Sequence, residues 1–169
     1  MILPVRGKTP EIGQDTYVAP SADIIGDVKI GKGCSIWFNT TIRGDVMPIV
    51  IGDESNIQDN TVIHGTYNKC GAVIGNKVTI GHSVILHGCK IGDLCLIGMG
   101  AVIMDQAEIP PRSIVAAGSL VTEDAKFPEG HLILGRPAKA VRPLNEKELA
   151  FLPQSAKNYI EYKAWYTKE

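Results

Sequence analysis

The sequence predicts an all-β solenoid of about six coils with a C-terminal α-helix, and two observations carry that prediction. The first is a six-residue period. Ile, Leu or Val recurs at Val18, Ile24, Ile30, Ile36 and Ile42, then at Ile51, Ile57 and Ile63, then at Ile74, Ile80 and Leu86. The series ends with Ile91, Ile97, Ile103, Ile109, Val115 and Val121. Neither helical periodicity nor strand alternation accounts for a repeat of six, whereas a fixed short repeat marks a chain that coils and stacks on itself. The second observation is that Gly31, Gly52, Gly75, Gly81, Gly92 and Gly98 directly follow an aliphatic residue. The missing Cβ permits a corner there and a close approach of the next coil. Each hexapeptide reads as a short strand plus a turn, three to a triangular coil. The aliphatic side chain points inward and stacks about 4.8 Å from its counterpart one coil away.

Taken in order, residues 1–13 read as an extended lead-in to the repeat. Three steps then break the period: nine residues from Ile42 to Ile51, eleven from Ile63 to Ile74 and five from Leu86 to Ile91. The prism cannot absorb the longer steps, so residues 45–50 and 65–73 are expected to bulge out as loops and to wall a functional site. Seventeen regular positions, plus one lost in a loop, make about six coils. Beyond Val121, residues 122–141 read as a turn and an extended segment that close the prism. The run Pro143-Leu-Asn-Glu-Lys-Glu then opens a helix, with Asn145 as N-cap and Glu148 three residues on as its reciprocal partner. Leu149, Leu152, Ala156, Tyr159, Ile160 and Lys163 follow helical spacing, and Pro153 predicts a kink or a restart. The expected division is a β-helix over residues 1–142 and a packing helix over residues 143–169.

Composition narrows the function. A chain of 169 residues is long enough for one domain with a real core. A formal net charge of −1 with no run of Lys or Arg makes nucleic acid and anionic membrane poor partners. No 18-residue apolar stretch and no signal-peptide pattern are present, so the expected location is the cytoplasm. Cys34, Cys70, Cys89 and Cys95 form no Cys-x-x-Cys pair, which fits reduced thiols, with Cys34, Cys89 and Cys95 as small core residues. Cys70 falls in the second bulge, within possible reach of the histidines.

Three of the four histidines, His64, His82 and His87, lie within residues 57–87. Imidazole is the side chain most used to hold a divalent transition metal, and three such ligands leave one coordination position open for water. His131 stands apart and reads as an ordinary structural histidine.

The hexapeptide pattern together with these histidines resembles the gamma-class carbonic anhydrase family, over essentially the whole chain. The segments that carry the resemblance are Arg43-Gly-Asp45, Asn56-Ile-Gln58-Asp59, His64, Gly81-His82 and Leu86-His87-Gly-Cys89. The aliphatic repeat and Gly135-Arg-Pro-Ala-Lys139 are shared with hexapeptide acyltransferases. The resemblance implies a left-handed parallel β-helix that assembles as a homotrimer; the usual crossover preference would give the opposite hand. It further implies one metal ion between each pair of subunits, with His64 and His87 from one subunit and His82 from its neighbour. The metal would be zinc, or iron(II) or cobalt under other conditions. By the same likeness Gln58 orients the metal-bound hydroxide that attacks CO2 to give bicarbonate, and Asn56 holds Gln58. Arg43, Asp45 and Asp59 match the family's charged network at the subunit contact, either as a structural ion-pair set or as a direct part of catalysis. Tyr159 matches a tyrosine that some relatives aim at the metal, and it reads equally as a packing aromatic.

One departure bears on rate. The family prototype carries glutamates in acidic loops that export the proton, whereas here the bulges read Val46-Met47-Pro48 and Gly65-Thr-Tyr-Asn-Lys-Cys-Gly71, with no glutamate. Slow or buffer-dependent turnover is therefore expected. Three functions compete: a metal-dependent lyase interconverting CO2 and bicarbonate, an acyltransferase or thioesterase using one histidine as base toward a CoA thioester, and a metal-binding trimer of weak or no activity. Metal content separates the second from the others, and CO2 hydration separates the first from the third.

Overall fold

The computed structural model describes residues 1–167, which form a parallel β-solenoid of about seven turns followed by one helix, consistent with the left-handed β-helix. One face of the prism stacks Tyr17–Val18, Ser35–Ile36, Asn56–Ile57, Thr79–Ile80, Leu96–Ile97, Ile114–Val115 and His131–Gly135, each paired in parallel with the next. This is called the Ile36 face below. A second face aligns Ile24, Ile42, Ile63, Leu86, Ile103 and Val121, the Ile42 face. The third aligns Ile12, Ile30, Ile51, Ile74, Ile91 and Ile109, the Ile51 face. Between Ile24 and Val121 every inward aliphatic of the repeat is at most 4% exposed, so the three rows together are the core. Cys34, Cys89 and Cys95 are buried among them, as expected of small apolar residues.

Two details of the expected coil count are corrected. The period does not stop at Val121. Phe127 packs against the core six residues on, and Ile133, wholly buried, pairs in register next to Val115. Nor is any position lost in the loops, because both long steps land on the next face in register. All three irregular steps fall at one edge of the prism, between the Ile42 and Ile51 faces. The first is a bulge inside one long strand, Thr41–Ile51, rather than a loop. Gly26 pairs with Gly44 and Val28 with Ile49, so residues 45–48 oppose Asp27 alone. The second is a turn, closed by a bridge between Thr66 and Cys70.

The chain ends in an antiparallel pair, His131–Gly135 with Ala138–Pro143, and then helix α1, Glu146–Thr167. The helix starts where expected. Asn145 Oδ1 accepts the Glu148 amide at 2.9 Å, and Glu148 Oε2 accepts the Asn145 amide at 2.9 Å. The Arg142 guanidinium grips the same carboxylate at 2.7 and 2.8 Å and, with the Asn145 amide, draws its pKa down to about 2. No restart occurs at Pro153, and α1 runs through it as one helix. Pro153 is exposed, so water can satisfy the carbonyl that its missing N–H leaves free. Leu152, Ser155, Ala156 and Lys163 bury against the Ile36 face, where Ser155 Oγ meets Thr79 Oγ1 at 3.0 Å. No helix among the described residues is long and apolar enough to cross a membrane.

Candidate metal centre

The geometry sorts the expected site residues into two groups on two edges of the prism. The strands Val62–His64 and Ile85–His87 pair in parallel with His64 opposite His87, so one coil step brings two residues 23 apart into contact. Each histidine directly follows an inward aliphatic and therefore points outward, at the edge where the bulges emerge. His64 Nδ1 and His87 Nε2 face each other at 3.4 Å.

The remaining ring nitrogens are both held by carboxylates. Asp45 Oδ1 lies 3.0 Å from His64 Nε2, and Asp105 Oδ1 lies 2.6 Å from His87 Nδ1. Arg43 donates to Asp45 Oδ2 at 2.6 Å. Burial opposes the charge on Asp45, yet the hydrogen bonds from Arg43 and His64 outweigh it and hold the carboxyl below its usual range. Burial likewise opposes the charge on Asp105, and donors from Thr66, His87 and Lys69 hold that carboxyl far below the ordinary value. Ionised carboxylates only accept, so the imidazole protons belong on His64 Nε2 and His87 Nδ1. With both rings neutral, two lone pairs then face each other across 3.4 Å, and only an added proton or a cation would join them. Two nitrogens bound at ~2.05 Å to one tetrahedral ion stand about 3.3 Å apart. The donor set and its spacing therefore fit a metal ion.

The third histidine is elsewhere. His82 sits in the turn after Thr79–Ile80, at the edge between the Ile36 and Ile42 faces, with its side chain 46% exposed and Nδ1 2.9 Å from Asp59 Oδ2. Among the described residues no group of three His, Cys, Asp or Glu side chains is placed to hold a metal ion. Gln58, Asn56 and Tyr159 belong to the His82 edge. Gln58, 5% exposed, donates to Asn56 Oδ1 at 3.1 Å, and Asn56 donates to Thr79 Oγ1 at 3.0 Å, so the carboxamide of Gln58 is fixed. Tyr159 lines a cleft with Gln58 and His82 and packs edge-on to Trp37, with ring centroids 5.8 Å apart. Burial, helped by the charge of Asp59, raises its hydroxyl pKa. Arg43, Asp45, His64 and His87 thus form one cluster, and Asn56, Gln58, Asp59, His82 and Tyr159 form another.

Three site residues escaped the sequence reading: Asp105, Thr66 and Lys69. Thr66 Oγ1 and Lys69 Nζ reach Asp105 Oδ2 at 2.7 and 3.1 Å. Asp105 lies 18 residues after His87, whereas the coil step here is 17, Leu86 to Ile103, so it falls one place past the register and no spacing signal marked it. Cys70 also arrives here. A Cβ placed on Gly88 would lie 2.4 Å from its Sγ and 2.8 Å from Asp105 Oδ1, and burial raises the thiol pKa, which keeps it protonated. His131 is remote, with Nδ1 2.8 Å from the Glu129 carbonyl.

Comparisons with known proteins place this geometry in a family. The model described as bacterial transferase hexapeptide (six repeats) matches residues 9–44 and 71–105. A carbonic anhydrase of Geobacillus kaustophilus is 46% identical over 98% of this chain and 91% of its own length. The mitochondrial gamma carbonic anhydrase 2 of Arabidopsis thaliana is 46% identical over 94% of this chain, which spans 59% of the plant protein. The crystal structure of a Bacillus cereus protein whose name proposes an acetyltransferase matches with a TM-score of 0.96 and 41% identity, over 99% of this chain and 97% of that one. The fold and the repeat define a hexapeptide-repeat protein. Within that class, the chain belongs to the gamma-class carbonic anhydrase family.

Proposed function

We propose that this protein interconverts CO2 and bicarbonate at metal centres shared between the subunits of a homotrimer in the cytoplasm. The observation that carries the reading is the split of the three histidines: a facing pair on one edge at ligand spacing, and a single exposed imidazole on another edge. A second subunit that brings its His82 edge against the His64–His87 edge completes a three-nitrogen set, and threefold symmetry repeats the contact. Zinc suits three imidazoles, and iron(II) or cobalt would be held by the same donors.

When bound, such an ion makes water acidic enough to ionise near neutral pH. The chain's own residues supply the rest. Asp45, with Arg43 behind it, fixes the ring of His64, and Asp59 fixes that of His82. Gln58, immobilised by Asn56, orients the oxygen nucleophile by hydrogen bonding, and Tyr159 narrows the approach beside it. Neither bulge offers a glutamate for proton export, so external buffer carries the proton and turnover rises with buffer concentration.

The relatives carrying transferase names favour a second reading, acyl transfer from a CoA thioester with one histidine as base. It needs no metal and uses only one of the three histidines. The test uses His64→Ala, His82→Ala and a mixture of the two refolded together. Each variant alone should lose metal and CO2 hydration measured by stopped flow. Mixed trimers should regain a fraction of both, because some interfaces then join an intact His64–His87 pair to an intact His82. No recovery in verified mixed trimers would place the site within one subunit, and metal-free wild type that binds CoA would favour the transferase.

A further inference from the structure

Each of the three candidate ligands has a carboxylate behind it: Asp45 for His64, Asp59 for His82, and Asp105 for His87. The third is the most deeply buried, with 8% of its side chain exposed against 25% for Asp45 and 32% for Asp59. A carboxylate so placed is tolerated only where donors surround it. Three do so, from two directions. His87 Nδ1 reaches Oδ1 at 2.6 Å from the preceding coil, and Thr66 and Lys69 reach Oδ2 at 2.7 and 3.1 Å from the bulge above. That bulge is rigid at its neck, because the Thr66 amide donates to the Cys70 carbonyl at 2.9 Å and the Lys69 amide to the Thr66 carbonyl at 3.0 Å. Lys69 is braced on its outer side by Glu123 at 3.3 Å.

We propose that Asp105 is a positioning residue for the metal centre, aiming Nε2 of His87 outward by holding the proton on Nδ1, and that Thr66 and Lys69 on the bulge hold Asp105 in turn. This rests on the metal-centre reading above and adds to it. It also gives the eleven-residue step a purpose other than proton export. The bulge supplies a hydroxyl and an ammonium that lock a ligand from behind, in the same acid–cation arrangement that Arg43 and Asp45 make for His64.

The test measures zinc dissociation constants by competition with a chromophoric chelator, for wild type, Asp105→Ala, Asp105→Asn and Thr66→Val. Visible spectra of the cobalt-substituted forms and thermal unfolding of the metal-free forms accompany them. Loss of an outer partner to a metal-ligating histidine typically weakens metal binding 10–100-fold, and Asp105→Ala should fall in that range with a shifted cobalt spectrum. Asp105→Asn keeps an acceptor oxygen and should recover most of the affinity; Thr66→Val should lose a few-fold. Affinity unchanged in Asp105→Ala, with wild type binding zinc, overturns this inference and leaves the metal centre standing. Wild type that binds no zinc overturns the metal centre itself. If Asp105→Ala does not fold, Thr66→Val and Asp105→Asn decide: full affinity and unshifted spectra in both refute the positioning role.

Discussion

Gly71→Ala is the sharpest test of how the two bulges are built, because the structure sets its cost through one contact. A Cβ on Gly71 would lie 1.9 Å from the carbonyl oxygen of Pro48, with the Pro48 carbonyl carbon at 3.1 Å. An ordinary carbon–oxygen contact is about 3.3 Å, so the bulges must separate by on the order of 1.4 Å. Neither side has a rotamer to yield, since the obstacle is backbone and Ala72 beside it is locked in register with Ile49. Overpacking of this kind costs about 1–3 kcal/mol. The displaced segment carries Thr66 and Lys69, so zinc affinity should fall together with stability. Chemical denaturation at fixed protein concentration reads the first, since the stability of an oligomer would depend on concentration, and chelator competition reads the second. Gly118→Ala is the control. Its φ of +67° carries a left-handed backbone penalty of about 1 kcal/mol, but nothing lies within 4 Å of the new Cβ, and zinc binding should not change. If Gly71→Ala unfolds within about 0.5 kcal/mol of wild type and binds zinc normally, the bulges do not pack as described.

Two further predictions concern the scaffold. Ile57 is wholly buried between Ile36 and Ile80 in the middle of its row, and Ile57→Ala should destabilise by about 2–5 kcal/mol whereas Ile57→Val costs about 0.5–1.5 kcal/mol; equal midpoints for the two in urea would contradict the stacked core. Glu148 has its folded pKa drawn down to about 2 by Arg142, against about 4.3 in an unfolded chain, so its contribution is complete above pH 4.3 and is lost as pH falls toward 2. The gap in thermal midpoint between wild type and Glu148→Gln should therefore be full at pH 7, close between pH 5 and pH 2, and shrink with added salt because the pair is exposed; a gap independent of pH would show that the ion pair is idle.

What was legible in the sequence was whatever the period of six could carry. The inward rows, the prism, the cap at Asn145 and Glu148 and the burial of three cysteines follow from residue type and spacing alone. The seventh coil was hidden because an aromatic, Phe127, takes an aliphatic position and a proline follows it. The site was misleading in a more instructive way. His82 and His87 are five residues apart and look like neighbours, yet a corner of the prism sends them to different edges. His64 and His87 are 23 apart and meet, because that distance is one coil plus the inserted bulge. In a solenoid, contact follows the coil step rather than sequence distance, so histidines that cluster along the chain still cannot converge within one subunit when they occupy two edges. Asp105 escapes that rule: the coil step there is 17 residues, Leu86 to Ile103, so Met104 lies in register with His87 and the buried Asp105 comes one place later, 2.6 Å from His87 Nδ1. One coil step pairs His64 with His87 and sets His82 over Asp59, on two different edges, and under the proposed reading a second chain would bring those edges together.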